Sequence, residues 1–335
     1  MRLFPESMNE PAHCVPHRAV QSRRACLASL SQAAAALLAW GRPHAAGALE
    51  ASARSGSTDE AAGIDTLHIL RSRIELQFAP GFSPALQAAA RAWVLISADA
   101  VARYFGRFPV PRVALTLLPD AGSGVRDSVT YAEPSLQMRI RLGRDTTAAQ
   151  LDRDEALVRE MVHLAVPSLP RAQNWLREGI VTYVSSVARG RLGLVAADQV
   201  WRAWIAAMPQ GQPQAGDGGL DHASTWGRLH WGGALFCLWA DVQLLQRSAL
   251  RTGLQQALQG VLAAGARYGE PWTVPRMAAA GDAAVGQTVL TELYARMKDA
   301  AEPVDLAGLW RDLGVSGSTF NDQAPLAGVR RAILG

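Results

Sequence analysis

The sequence predicts an α+β protein in which a sheet lobe is followed by a mainly helical lobe. Two patterns support this prediction. Apolar and polar residues alternate in three short segments between positions 74 and 142, and apolar residues recur at helical spacing from about position 147 onward. The chain has 335 residues, of which 49% are hydrophobic and 19% are charged. This composition excludes a disordered tail protein and a coiled coil, and it provides enough apolar side chains for a large core.

The predicted sheet lobe spans residues 64–145 and follows a flexible lead-in at 49–63, which is rich in Ala, Ser, Gly and Glu. Alternation predicts three half-buried strands, and a helical pattern between the first two predicts a helix at about 84–106. The alternating apolar residues are Ile74, Leu76 and Phe78, then Val113, Leu115 and Leu117, then Leu136, Met138, Ile140 and Leu142.

The predicted helical lobe spans residues 146–335. Asn174 is the predicted N-cap of its second helix. The connection between Pro209 and Gly227 has no periodicity and is rich in Gly and Pro, which predicts a functional loop or a disordered segment. We expect helices at about 148–166, 175–189, 196–207, 228–248, 251–264, 285–299 and 304–313.

Residues 1–48 are predicted to be an export signal. Arg23 and Arg24 precede a short, mildly apolar run, and a small-residue cleavage site follows at 46–48. The arginine pair and the weak hydrophobicity favour the twin-arginine route, and the alternatives are a general secretory signal or an uncleaved anchor. We therefore expect a periplasmic or secreted mature chain that begins near position 49 and contains no membrane span.

The basic excess of the chain does not indicate nucleic-acid binding. The formal net charge is +4, from 33 basic and 29 acidic side chains. Residues 1–48 hold five arginines and two glutamates, so the remaining chain has 28 basic and 27 acidic side chains. A protein that binds phosphate backbones needs a concentrated positive surface. We therefore predict no nucleic-acid partner.

Two neighbouring helices of the helical lobe carry ionisable residues that can meet. Arg159, Glu160 and His163 share one face of the first helix, opposite its apolar residues. The second helix follows a proline-containing reversal and brings Glu178 toward His163. Gly179 is unfavourable inside a helix, which predicts that another backbone approaches closely at this position.

These segments resemble the motifs of the gluzincin zinc peptidases, in particular the peptidase-MA-like and glycyl-aminopeptidase-like proteins of bacteria. The family pattern is H-E-x-x-H on one helix and W-L-x-E-G-x-x-x-Y on the next, and this chain has R-E-M-V-H at 159–163 and W-L-R-E-G-I-V-T-Y at 175–183. The resemblance extends to 225–236 and 324–327. It implies a thermolysin-like α+β fold with a cleft between the lobes, and a peptide or protein as the ligand.

The resemblance also implies roles for individual residues. Glu160 matches the general base for zinc-bound water, and His163 and Glu178 match the second and third zinc ligands. His230 lies near the point where related enzymes have a tyrosine that donates a hydrogen bond to the oxyanion. At a helix start next to Trp231, His230 fits the role of a polar cleft or helix-capping residue better than that of a ligand, and it is the best reserve ligand for a metal.

Arg159 is the main departure from the family pattern, because it occupies the position of the first histidine ligand. A guanidinium has no lone pair for zinc and remains charged. We therefore expect a zinc-deficient pseudopeptidase that retains a peptide-binding cleft, with Arg159 paired to Glu160 or Glu178 in place of the metal. Two alternatives remain open: an active zinc-dependent peptidase with an altered ligand set, and an exported scaffold protein with a vestigial cleft. Zinc is expected as a cofactor only in the active alternative.

Three further predictions concern the surroundings of the motif. Thr182 and Asp241 are expected to support the ligands, although Asp241, alone on an apolar helix, is equally explained as a buried residue paired with an arginine. Cys237 lies among large apolar residues and is expected to be an inert core thiol. By the family resemblance, the strand at 136–142 is expected to be the sheet edge to which an extended peptide adds.

Overall fold

A computed structural model describes residues 55–59 and 63–335, so the predicted export signal lies outside the described residues. The three strands predicted from alternation are confirmed, and they belong to a six-stranded sheet. Its strands are β1 (Ser55–Asp59), β2 (Ile64–Ile69), β3 (Ser72–Phe78), β4 (Arg112–Asp120), β5 (Val125–Tyr131) and β6 (Gln137–Gly143).

The sheet is mixed, with the strand order β1-β2-β3-β4-β6-β5. Strand β4 runs parallel to both β3 and β6, whereas β1–β2, β2–β3 and β5–β6 are antiparallel pairs. The parallel β3–β4 pair requires a crossover connection, which a helix supplies. One face of the sheet is buried in the core through Leu76, Leu115, Leu117 and Ile140. The sheet and the helices that follow it confirm the α+β class.

The crossover helix between β3 and β4 is α1 (Pro84–Phe105). The side chain of Ser83 caps it by accepting a hydrogen bond from the Leu86 N–H, and Gly106 ends it in the left-handed conformation at φ 72°. By length and composition α1 could cross a membrane. In this structure half of that apolar segment is buried in the protein core.

Strand β6 is not the sheet edge, which corrects the expectation that the strand at 136–142 receives a peptide. It lies between β4 and β5, and β5 ends the sheet on this side. The sequence of β5, VRDSVTY, has no clear apolar alternation because polar side chains occupy both of its faces. An edge strand is held by backbone hydrogen bonds to one neighbour, so this composition suffices to form it.

The other edge corrects the predicted flexible lead-in at 49–63. Within that segment Ser55–Asp59 forms β1, which pairs with β2. Its small and polar residues carried no strand signal. Backbone hydrogen bonds to β2 form the strand without an apolar pattern.

The helical lobe begins with an interruption that the sequence did not predict. The helix expected at 148–166 is divided into α2 (Ala148–Leu151) and α3 (Ala156–His163). Between them the Asp154 side chain accepts a hydrogen bond from the Ala156 N–H at 2.9 Å, and such local bonds compete with a continuous helix.

The remaining elements complete the helical lobe. Two of its helices, α8 and α11, and the short hairpin formed by β7 and β8 had not been predicted. In chain order the elements are α4 (Asn174–Arg191), α5 (Ala197–Ala207), α6 (Gly233–Arg247), α7 (Leu254–Ala263), α8 (Val274–Val285), α9 (Val289–Met297), α10 (Leu306–Leu313), β7 (Val315–Ser316), β8 (Thr319–Phe320) and α11 (Ala327–Leu334).

The connection at 209–227 is anchored to the helical lobe. It contains single turns of 3-10 helix at Met208–Gly211 and Leu220–His222. The buried Arg228 donates to the Gly211 carbonyl at 2.7 Å, and Asp221 accepts from the indole N–H of Trp175 at 2.8 Å. These bonds show that the connection is an ordered loop beside α4 and not the disordered segment that was the second prediction for it.

Candidate functional site

Helix α3 presents the residues of the degenerate motif on one face. Its other face is buried through Leu157, Val158, Met161 and Val162. Arg159, Glu160 and His163 are half-buried, so solvent still reaches each of them. The helical spacing that buries the apolar residues therefore also directs these three side chains to one surface.

Helix α4 supplies Glu178, but its start differs from the prediction. Asn174 is the first residue of α4 and not its N-cap. Gln173 precedes it, at the end of a 3-10 turn, and makes no side-chain capping bond. The Gln173 side chain instead donates to the Tyr294 hydroxyl at 2.9 Å and accepts from the Val274 N–H at 2.9 Å. It thereby joins the start of α4 to α8 and α9.

The predicted close approach at Gly179 is confirmed. A Cβ atom at Gly179 would lie 2.2 Å from the carbonyl carbon of Gly233, and one at Gly233 would lie 2.2 Å from the carbonyl oxygen of Trp175. Helix α4 therefore crosses the start of α6 with backbone against backbone. This contact brings the residues just before α6 next to Glu178.

A π-helical segment, Arg228–Gly232, precedes α6 and carries His230 at its middle. π-Helical turns inside helices are frequent at functional sites, because they displace side chains from regular helical spacing. The segment is held by the Gly211 backbone, since a Cβ atom there would lie 2.3 Å from the carbonyl carbon of Trp231. The ordered 209–227 loop thus supports the position of His230.

Glu178 is held between two cationic or donor groups. Its Oε1 accepts from Arg177 Nη2 at 3.1 Å, and its Oε2 lies 3.3 Å from His230 Nε2. Burial by itself would raise the pKa of this carboxyl. The hydrogen bond from His230 and the electrostatic interactions with the His163, His230 and Arg177 side chains outweigh burial and hold the pKa of Glu178 well below its usual range. Glu178 is therefore ionised at neutral pH.

His230 is oriented by its neighbour Trp226. Its Nδ1 lies 3.1 Å from the Trp226 carbonyl oxygen, and the two rings stack with centroids 4.5 Å apart. A carbonyl only accepts, so Nδ1 carries a proton.

Arg159 does not pair with Glu160 or Glu178, which corrects the expectation from the sequence. Among residues 63–335 it takes part in no ion pair, and its hydrogen bond is from Nη1 to the Thr182 hydroxyl at 3.4 Å. Glu178 contacts Arg177 and His230 instead, and Glu160 accepts from Ser128. Arg177 was overlooked in the sequence, although it lies inside the W-L-x-E-G motif.

Glu160 is oriented by a residue that sequence reasoning missed. The hydroxyl of Ser128 on β5 donates to Glu160 Oε1 at 2.7 Å. Ser128 is buried, and α3 packs against β5 at this point. No motif marks Ser128 in the sequence, because only the pairing of β5 beyond β6 brings it to α3.

His163 lies in the same surroundings without a hydrogen-bond partner among the described residues. Burial lowers the pKa of its imidazole, and the nearby carboxylates of Glu178 and Glu160 oppose this effect only in part. His163 is therefore a neutral imidazole at neutral pH.

The two predicted supporting residues lie in different places. Thr182 is buried and accepts from Arg159, within the site. Asp241 is also buried, but it accepts from the Tyr183 hydroxyl at 2.6 Å and from the Leu254 N–H at 2.7 Å. Burial raises the pKa of the Asp241 carboxyl. Its hydrogen bonds thus join α4 to the start of α7 and do not reach His163 or Glu178.

Cys237 is buried in the core, as expected. Burial raises the pKa of its thiol well above the usual range, which leaves it protonated and unreactive.

The site residues as arranged do not form a zinc site. A three-ligand site needs a lone-pair donor at position 159, where the chain has a guanidinium. Both oxygens of Glu178 are engaged by Arg177 and His230. Within the part of the chain that the structure describes, His, Cys, Asp and Glu side chains form no cluster of three that could hold a metal.

Comparisons with known proteins find similarity only at the level of structure. No protein-family model matches the sequence, and no curated protein matches it. An aminopeptidase N family protein from Idiomarina loihiensis is 11% identical with a TM-score of 0.49, and the alignment covers 80% of this chain and 48% of that protein. An M1 zinc metallopeptidase from Deinococcus radiodurans is 16% identical with a TM-score of 0.44, covering 70% of this chain and 51% of the other.

A third structure is a substituted form of the Deinococcus radiodurans enzyme bound to a Tyr-Ser-Ala substrate. It is 14% identical with a TM-score of 0.45, and the alignment covers 76% of this chain and 52% of that one. The structural neighbours are thus M1 zinc aminopeptidase family proteins at low sequence identity, and this chain spans about half of their length.

Proposed function

We propose that this protein is a gluzincin-like pseudopeptidase whose cleft binds peptide without zinc. The observation that carries the proposal is the separation of Arg159 from Glu178. Arg177 and His230 hold Glu178, whereas Arg159 bonds only to Thr182 among the described residues. A vestigial cleft would be expected to close by pairing its opposite charges. Polar groups that converge on one face and stay accessible to solvent can orient a bound ligand.

The peptide is proposed to lie along β5. This strand ends the sheet, so one of its backbone edges has no neighbouring strand among the described residues. Its Ser128 donates to Glu160, which connects the strand edge to the motif face of α3. An extended peptide at this edge would form main-chain hydrogen bonds and bring one of its ends to α3.

Peptide binding is tested by calorimetric titration of a short-peptide library into the purified protein. The Ser128→Ala variant loses the hydrogen bond that orients Glu160, and we expect about fivefold weaker binding. Ser186→Ala is the matched control, because the Ser186 hydroxyl donates to the Thr182 carbonyl within its own helix. Absence of binding to the wild type, or equal losses in both variants, would contradict the proposal and favour the exported scaffold.

One observation favours an active zinc peptidase as a second candidate. A histidine that donates from Nδ1 to a backbone carbonyl and presents Nε2 is the usual arrangement of a metal ligand, and His230 has this arrangement. Zinc would then require Glu178 to leave its present partners. Metal analysis of the protein after dialysis against zinc tests this candidate. An active zinc peptidase should retain about one equivalent of zinc.

Export through the signal at residues 1–48 belongs to the same proposal. The arginine pair, the short apolar run and the small residues at 46–48 support it. We expect the protein in the periplasm or the medium with its N-terminus near position 49. Cytosolic protein that retains residues 1–48 would contradict export, and a membrane-bound full-length form would support the anchor.

A further inference from the structure

Arg159 differs from the other buried and half-buried arginines of the described chain, because no Asp or Glu carboxylate pairs with it. Its guanidinium has five N–H donors, and its hydrogen bond is a long one to Thr182. The three buried arginines each have a carboxylate partner, which is Glu155 for Arg189, Asp217 for Arg228 and Asp322 for Arg330. Arg189 donates to the Arg153 carbonyl at 2.9 Å, Arg228 to the Gly211 carbonyl at 2.7 Å and Arg330 to the Leu313 carbonyl at 3.0 Å. The half-buried Arg159 guanidinium thus has N–H donors that no carboxylate of the described residues engages.

The groups around Arg159 favour a ligand with a carboxylate and an N–H close together. The two oxygens of Glu178 contact Arg177 and His230, and neither oxygen pairs with Arg159. Glu160 follows Arg159 in the sequence, and its Oε1 accepts from Ser128, which leaves Oε2 to accept from a ligand. Both side chains lie close enough to His163 to affect the pKa of its imidazole, so the site offers a planar cation and an anionic acceptor around this residue.

We infer that Arg159 binds the C-terminal carboxylate of a peptide while Glu160 accepts the N–H of the same terminal residue. This inference rests on the proposed peptide-binding function and names its ligand class. The guanidinium fork matches the two oxygens of a carboxylate. A terminal residue holds its carboxylate and its amide N–H on the same carbon, whereas an acidic side chain separates the two groups by additional bonds.

Three tripeptide pools of otherwise equal composition test the inference by calorimetry. The first contains free C-terminal carboxylates and no Asp or Glu, the second is the same pool with amidated ends, and the third is amidated with Glu as the last residue. We expect the first pool to bind at least about tenfold more tightly than the second. Equal binding of the first and third pools would assign the site to acidic side chains and overturn the inference.

Variants at position 159 test whether the preference for a free C-terminal carboxylate depends on Arg159. Arg159→Gln is expected to bind the first and second pools equally, and Arg159→Lys to retain a reduced preference, because an ammonium lacks the planar fork. Arg153→Gln is the matched control, since Arg153 is exposed just before α3 and should keep the full preference. A thermal melt of each variant verifies folding.

The possible failures are distinguishable. If the wild type binds the first and second pools equally, or Arg159→Gln keeps the preference, the inference is wrong and the proposed peptide binding stands. If no pool binds the wild type, the proposed function itself fails.

Discussion

Glu178 and His230 meet across the crossing of α4 and α6, with 3.3 Å between Oε2 and Nε2. Their side chains are only 15% and 14% exposed. The contact exists because Gly179, next to Glu178, lies against the backbone of Gly233, three residues after His230. The contact between Glu178 and His230 therefore depends on the close packing of Gly179 against Gly233.

We expect Gly179→Ala to disrupt this crossing. The added methyl would lie 2.2 Å from the Gly233 carbonyl carbon, and backbone cannot move aside as a flexible side chain can. The free energy of unfolding should fall by about 3 kcal/mol, measured by chemical denaturation. Gly190→Ala in the same helix is the control, because its methyl meets only side chains, Leu334 at 3.1 Å and Val200 at 3.7 Å. The control should stay within about 1 kcal/mol of the wild type, and similar losses in both variants would refute the steric explanation.

The Glu178–His230 pair should show energetic coupling. A double-mutant cycle with Glu178→Gln and His230→Gln is expected to give a coupling free energy of about 1 kcal/mol at pH 7. Additive losses would mean that the contact contributes nothing to stability. A cycle between Glu178→Gln and the distant Asp322→Asn provides the additive reference.

Glu178 should also stabilise the protein in a pH-dependent way. Because its folded-state pKa is lowered from 4.5, its contribution is present above about pH 4.5 and is lost as the pH falls further. Glu178→Gln should therefore flatten the acid side of the stability curve, measured by denaturation at several pH values. An unchanged acid slope in the variant would contradict this assignment.

Asp154 is expected to act in the opposite direction. Burial is the main cause that raises its pKa from 3.8 to about 6, so the folded protein retains this proton between about pH 4 and 6 whereas the unfolded chain does not. Stability should therefore fall by on the order of 2–3 kcal/mol as the pH rises through this range. Asp154→Asn keeps an acceptor for the Ala156 N–H and should remove the slope and stabilise the protein at pH 7.

The exposed Asp152 provides the matched control for this titration. Asp152→Asn removes one carboxylate from the same turn, and we expect the slope between pH 4 and 6 to persist. Loss of the slope in Asp152→Asn, or its persistence in Asp154→Asn, would assign the proton to another group.

Arg159→His should create a zinc site that the wild type lacks. Positions 159 and 163 share one face of α3, so the variant presents a histidine pair one turn apart with Glu178 on the neighbouring helix. We expect close to one equivalent of zinc after dialysis and a zinc-dependent rise in melting temperature. Arg159→Gln, which removes the charge without adding a ligand, should gain neither. Stoichiometric zinc in the wild type would contradict the pseudopeptidase proposal and favour the peptidase with an altered ligand set.

Local spacing in the sequence was sufficient to predict the inner strands, helix α3 and its motif face. Alternation identified β3, β4 and β6, and helical spacing placed Arg159, Glu160 and His163 on one side of α3. Gly179 predicted the close backbone approach. These features are encoded within a few neighbouring residues, because a strand repeats every two residues and a helix brings together residues three and four apart.

Only the tertiary structure decided which side chains face one another. Strand β5, with little apolar pattern of its own, passes beyond β6 and brings Ser128 to Glu160. The crossing of α4 and α6 places Glu178 against His230, and Arg159 forms its hydrogen bond with Thr182. These partners come from segments tens of residues apart, and their pairing is set by sheet order and helix packing, which no local spacing encodes.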